Sequence, residues 1–144
     1  MENDYYLKLA ASGLRMPIGT HLVLHTHADP EQILLEGPRL GEVLVRPAQR
    51  FETPLAFPLM DLTLEKAALL VACGLPAQDV DARHFTSPPE LVTGISLTPR
   101  MAASCEAIAH VHRVSDFVPI GMSIGPFSLM TKLVSDPITP VFLA

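Results

Sequence analysis

Fourteen prolines break this chain of 144 residues at short intervals, and they limit its fold more than any other feature. Proline lacks an N–H, fixes its own backbone angle and disfavours helix in the residue before it. At about twice the usual share of ~5%, it argues against a bundle of long unbroken helices. Short elements joined by proline-marked turns are expected. Hydrophobic residues make up 49% of the chain, which excludes a disordered tail and leaves room for one domain with a sizeable core.

Charge narrows the partners. The formal net charge is −5, and the ten Lys and Arg are scattered singly from Lys8 to Lys132. No basic stripe is present to neutralise phosphates, so nucleic acid is not an expected partner. Cys73 and Cys105 lie in apolar stretches far apart in sequence and read as reduced, buried thiols of a cytoplasmic protein. The acidic N-terminus, Met-Glu-Asn-Asp, is unlike an export signal. The most apolar stretch, 117–130, is broken by Pro119, Gly121, Gly125 and Pro126 and falls short of the ~20 residues of a spanning helix. No membrane partner is expected.

Asn3 or Asp4 opens a first short helix, with Gly13 at its C-terminal cap position. Residues 18–25, with Leu22-Val23-Leu24, read as extended. Asp29-Pro30-Glu31 is an N-cap, a first-position proline and a first-turn acid, opening a helix to about Glu36. A second helix runs from about Arg39 to Phe51, with Pro47 inside it. Pro54 to Met60 is a nearly continuous apolar run, as a strand buried on both faces would be, which implies a parallel sheet. A helix follows over 62–73, closed by Gly74 and Pro76. Residues 77–89 read as a polar loop, and 91–97 fit either a strand or a helical turn. Thr98-Pro99 opens a helix whose expected inward face is Met101, Cys105, Ile108, Ala109 and His112, with Arg100, Ser104, Glu106 and Arg113 outward. A second strand is expected over 117–123 and another helix over 127–134. Asp136-Pro137 repeats the cap-plus-proline signal, and the chain stops within about two turns of it. Strand-helix alternation cut off in this way is expected of a piece of a larger α/β fold, whose open edges would favour oligomers or aggregation.

Three places invite chemistry. Asp61 follows the first strand, where parallel α/β folds place active-site groups; equally, its carboxylate fits a cap on the N–H of Thr63 or Leu64. The segment Gly121 to Ser128 joins the second strand to a helix, and its small residues and free N–H groups suit close approach of an anion, or simply close helix-strand packing. It matches neither phosphate-loop glycine pattern. His21, His25 and His27 form an H-x3-H-x-H cluster, a weak zinc signal without further ligands at suitable spacing. No metal site is assigned. His84, His110 and His112 read as a loop residue, a helix-surface residue and the edge of an apolar face, and Glu65 and Lys66 as part of a solvated face.

The stretch Pro54-Leu-Ala-Phe-Pro-Leu-Met-Asp61-Leu-Thr-Leu-Glu-Lys-Ala, followed by Cys73-Gly74-Leu-Pro76, resembles the first barrel strand and helix of the uroporphyrinogen decarboxylase family. Val118-Pro-Ile-Gly-Met-Ser-Ile-Gly-Pro-Phe-Ser-Leu-Met130 is similar to the family's strand ending in Gly-Pro-Phe-Thr-Leu-Ala. The resemblance implies an α/β fold, the N-terminal part of a TIM-type (β/α)8 barrel. Residues 1–53 would form a preceding helical segment and 54–144 the first strand-helix units, since such barrels need ~250 residues. It assigns Asp61 the catalytic place in a tetrapyrrole cavity. Met60, Ser123, Gly125, Pro126 and Phe127 would be the residues lining a substrate or corrinoid. The family's Arg-Gln-Ala-Gly-Arg run, which binds substrate carboxylates, is missing: the corresponding region reads Arg15-Met-Pro-Ile-Gly-Thr-His21-Leu-Val-Leu-His25. Together with Met60 and Leu62-Thr-Leu-Glu65, this favours the branch that moves a methyl group from a corrinoid, carried on a partner protein, to a thiol activated by zinc. The zinc ligands would lie beyond this chain, which alone would hold no cofactor. The alternatives are uroporphyrinogen decarboxylation in porphyrin synthesis and a non-catalytic tetrapyrrole-binding or accessory protein.

Overall fold

A computed structural model describes residues 3–15, 18–76, 78, 80–87, 89–90, 93–136, 138 and 141–142. The elements are α1 (Asn3–Ala11), α2 (Thr20–Leu24), α3 (Pro30–Ile33), α4 (Gly37–Arg50), β1 (Leu55–Ala56), α5 (Leu64–Ala72), α6 (Pro99–Val114), β2 (Val118–Pro119) and α7 (Pro126–Leu133). They divide into two compact units, one of residues 1–60 and 103–121, the other of 61–102 and 122–144. Part of the undecided stretch 91–97 and most of the chain after Asp136 lie outside the described residues. No helix among the described residues is long and apolar enough to cross a membrane.

The first unit is organised around α4. Leu40, Val43, Leu44 and Ala48 of this helix are buried together with Leu24, Ile33 and Leu34 from α2, α3 and the turn after it, Ala56 of β1, and Ala107 and Val111 of α6. Arg39 pins the entry to α4, reaching Asp29 Oδ2 at 2.9 Å and Glu36 Oε2 at 3.4 Å. The same helix meets α6 at two buried glycines. A Cβ on Gly37 would lie 2.5 Å from Glu106 Cβ, and one on Gly41 would lie 2.8 Å from His110 Cδ2 and 3.1 Å from the Ala107 carbonyl oxygen. The two glycines make room for the Glu106 and His110 side chains, and the buried face of α6 beside them is Ala103, Ala107 and Val111. The expected inward face is therefore wrong: Cys105, Ala109 and His112 are exposed, while His110, expected on the surface, is half-buried.

β1 and β2 pair in parallel, Leu55 with Val118 and Ala56 with Pro119. The Val118 N–H donates to the Pro54 carbonyl and the Ile120 N–H to the Ala56 carbonyl, each at 2.9 Å. The ladder is far shorter than the apolar runs that contain it. Pro58 and Pro119 have no N–H to give, so neither segment sustains pairing along its length. The segment expected to be extended over 18–25 contains the helix α2 instead. There the buried Thr20 hydroxyl donates to the Phe57 carbonyl at 2.7 Å and Leu24 enters the core, so tertiary contacts outweigh the strand preference of Leu22-Val23-Leu24.

In the second unit α5 packs against α7 and ends in a glycine cap. Gly74 sits at φ +74°; its N–H reaches the Val71 carbonyl at 2.9 Å and the Leu75 N–H reaches that of Leu70 at 2.8 Å, the paired bonds of a Schellman motif. The loop after α5 is fastened to the end of α7 by Phe85, whose N–H donates to the Leu133 carbonyl at 2.7 Å and whose carbonyl accepts from Ser135 at 2.9 Å.

Candidate functional site

Asp61 lies five residues beyond the end of β1 and two before the N-cap of α5, in the connecting loop. Both its carboxylate oxygens are engaged. Oδ1 accepts the Thr63 N–H at 2.9 Å and the Thr63 hydroxyl at 2.6 Å, so the helix-entry role expected for it is present. Oδ2 meets Arg100 Nη2 at 2.5 Å, with side-chain exposures of 12% for Asp61 and 37% for Arg100.

Arg100 was expected to face away and is the residue that sequence reasoning missed. A signal was present. It stands in the first turn of α6, a turn without an acid, where the helix dipole disfavours a cation. A cation placed there calls for a carboxylate partner from elsewhere.

Glu65 and Lys66 are not on a solvated face. Glu65 Oε1 accepts the Ile124 N–H at 3.0 Å, tying the 121–125 loop to the first turn of α5, and its Oε2 is buried without a hydrogen-bond partner among the described residues. Asp61 and the Gly125 loop thus both fasten to the N-terminal end of α5. Of the other expected site residues, Ser123, Gly125 and Pro126 are exposed on that loop and at the start of α7, Phe127 is 60% exposed, and Met60 belongs to the first unit. Cys105 is exposed and Cys73 half-buried, both as free thiols, so the expected burial fails for Cys105. His21 and His25 are exposed, on α2 and at its C-cap, yet no group of three His, Cys, Asp or Glu suited to a metal is found among the described residues. The described residues thus assign no ligand to the zinc implied by the resemblance.

Lys66 is only 2% exposed, with its ammonium 3.5 Å from the Asp81 carbonyl oxygen. Burial pushes its pKa down; the Asp81 charge opposes this and that of Lys132 adds to it. The unfolded chain therefore holds this proton more tightly than the folded one. The resulting cost to stability is fully present below the folded pKa and disappears as pH rises through the unfolded value of ~10.4. Lys66→Met is expected to stabilise the protein by about 1–2 kcal/mol near neutral pH, a gain that shrinks toward pH ~10. Urea unfolding of both proteins across that range checks it.

No protein-family model, no curated protein and no solved structure matches this chain.

Proposed function

We propose that this chain supplies the first strand-helix units of a uroporphyrinogen decarboxylase-family enzyme, that the Asp61 and Gly125 segments line a tetrapyrrole face, and that the reaction is corrinoid-dependent methyl transfer to a thiol. One observation carries the reading. The two stretches that resemble the family, 54–61 and 118–126, contain the two strands, and these pair in parallel in the register Leu55 to Val118, as neighbouring strands of such a barrel would. Each stretch then leads into a helix, α5 or α7.

The surface chemistry of the second unit fits a flat, largely apolar macrocycle with a polar rim. Met122 and Phe127 are exposed, and an exposed aromatic ring gives such a ligand a stacking face. A bound corrinoid would supply the methyl carrier. This chain's part is to seat it, with Glu65 holding the Ile124 segment and Asp61 holding Thr63 and Arg100.

A second reading is favoured by Arg100. A half-exposed guanidinium steadied by Asp61 is suited to a substrate carboxylate, which an acid-rich porphyrinogen carries. Equilibrium dialysis of the full chain against hydroxocobalamin, and separately against an octacarboxylate porphyrin, tests both. Methyl transfer predicts saturable corrinoid binding, weakened about tenfold by Phe127→Ser, an exposed position whose change spares the fold. Decarboxylation predicts tighter binding of the porphyrin, lost in Arg100→Gln. Binding of neither ligand contradicts the whole reading.

A further inference from the structure

The outer side of α4 carries a second feature, within the first unit and unrelated to Asp61. Leu22, Val23 and Thr26, from α2 and the turn after it, face Arg46, Gln49 and Arg50 of α4 across an open groove of about 610 Å³. That volume falls within the ~300–1,000 Å³ range of small-molecule sites. Its two sides differ in chemistry. On one, Leu22 is 65% exposed beside Val23. On the other, two guanidiniums stand one helical turn apart, where like charges repel.

No carboxylate lines the groove, although the chain as a whole carries a net charge of −5. Among the described residues, the ion pairs are those of Arg39 with Asp29 and Glu36 and of Arg100 with Asp61; Arg46 and Arg50 take no part in them. Glu42, one turn before Arg46 on α4, lines a neighbouring cavity of about 340 Å³ that also touches Arg46 and Gln49, yet it forms no such pair. The helix dipole accounts for a cation in the last turn, at Arg50, but its effect fades within that turn and leaves Arg46 without a reason.

We propose that the groove binds an amphiphilic anion, with a carboxylate or phosphate head held between Arg46 and Arg50 and an aliphatic body laid on Leu22 and Val23. Guanidinium forks bind either head in bidentate fashion, and the exposed leucine gives the tail an apolar surface to cover.

Calorimetric titration of the full chain with octanoate and with octyl phosphate, below their micelle concentrations, tests the proposal. Octan-1-ol and octyltrimethylammonium serve as ligands lacking the anion. Saturable binding of at least one anion is expected, and the tighter of the two identifies the head group. Arg46→Gln with Arg50→Gln, and separately Leu22→Asp, should each weaken it about tenfold; all three positions are exposed, and circular dichroism checks that the fold is kept. Equal binding of the alcohol or the ammonium compound overturns the proposal. So does binding that survives the double arginine variant, or failure of both anions to bind at about 10 mM.

Discussion

Gly41→Val is expected to destabilise the protein by about 2–3 kcal/mol, the cost of overpacking a well-filled contact. A Cβ there would stand 2.8 Å from His110 Cδ2 and 3.1 Å from the Ala107 carbonyl oxygen. The imidazole has some freedom to move away, but the backbone carbonyl of a buried helix turn has little, so α4 and α6 must separate. Separation exposes Ala107 and Val111, both fully buried in the first unit's core. Gly121→Ala is the control: a Cβ at that position meets nothing within 4 Å, and its expected effect stays within about 0.5 kcal/mol. Urea unfolding of both variants checks the pair. Equal midpoints would show that the α4–α6 contact is looser than described.

Asp61→Ala should cost about 2 kcal/mol. Loss of the two Thr63 bonds removes hydrogen bonds to a charged group that hold the turn into α5, a loss of ~1 kcal/mol, and loss of the half-exposed Arg100 pair adds up to ~1 kcal/mol after solvent screening. Asp61→Asn keeps an oxygen for the Thr63 N–H and should cost about half as much. The charge term is isolated by a double-mutant cycle of Asp61→Ala with Arg100→Ala, expected to give a coupling of about 0.5–1 kcal/mol. Zero coupling would remove the ion pair from the account. Because Asp61 holds the helix entry as well as facing the proposed ligand, a loss of binding in these variants counts only once folding has been verified. Phe127→Ser avoids that ambiguity.

Where local signals stood alone, the elements were legible. Pro30 at a helix start, Gly74 at a helix end and the proline-glycine break before α7 each carry a backbone requirement that the chain meets at that position. The apolar runs at 54–60 and 117–123 indicated parallel strands, but not how short they are, because Pro58 and Pro119 limit pairing and only the partner's position shows where. The inward face of α6 was misread for a different reason. Hydrophobicity favours Met101 and Ile108, whereas the glycines at 37 and 41 make room for Glu106 and His110, which leaves Ala103, Ala107 and Val111 as the buried face. That choice depends on a partner helix some 60 residues away in sequence.

The candidate site follows the same division. The helix-entry role of Asp61 is local and was visible as one of two readings. Its bond to Arg100 and the bond of Glu65 to Ile124 join distant segments, and neither follows from spacing. Lys66 departs from the reading as part of a solvated face because a lysine ordinarily faces water, whereas here its aliphatic stem lies in the interior of the second unit.

The central claim is that the segments around Asp61 and Gly125 form the face that meets a tetrapyrrole. Amide chemical-shift mapping of the isotope-labelled full chain, titrated with diamagnetic hydroxocobalamin, tests it most directly. Saturable shifts are expected at the amides of Thr63, Ile124 and Gly125, with Leu22, Thr26 and Gln49 of the first unit unmoved. Shifts confined to that second set, or none at saturating corrinoid, would contradict it.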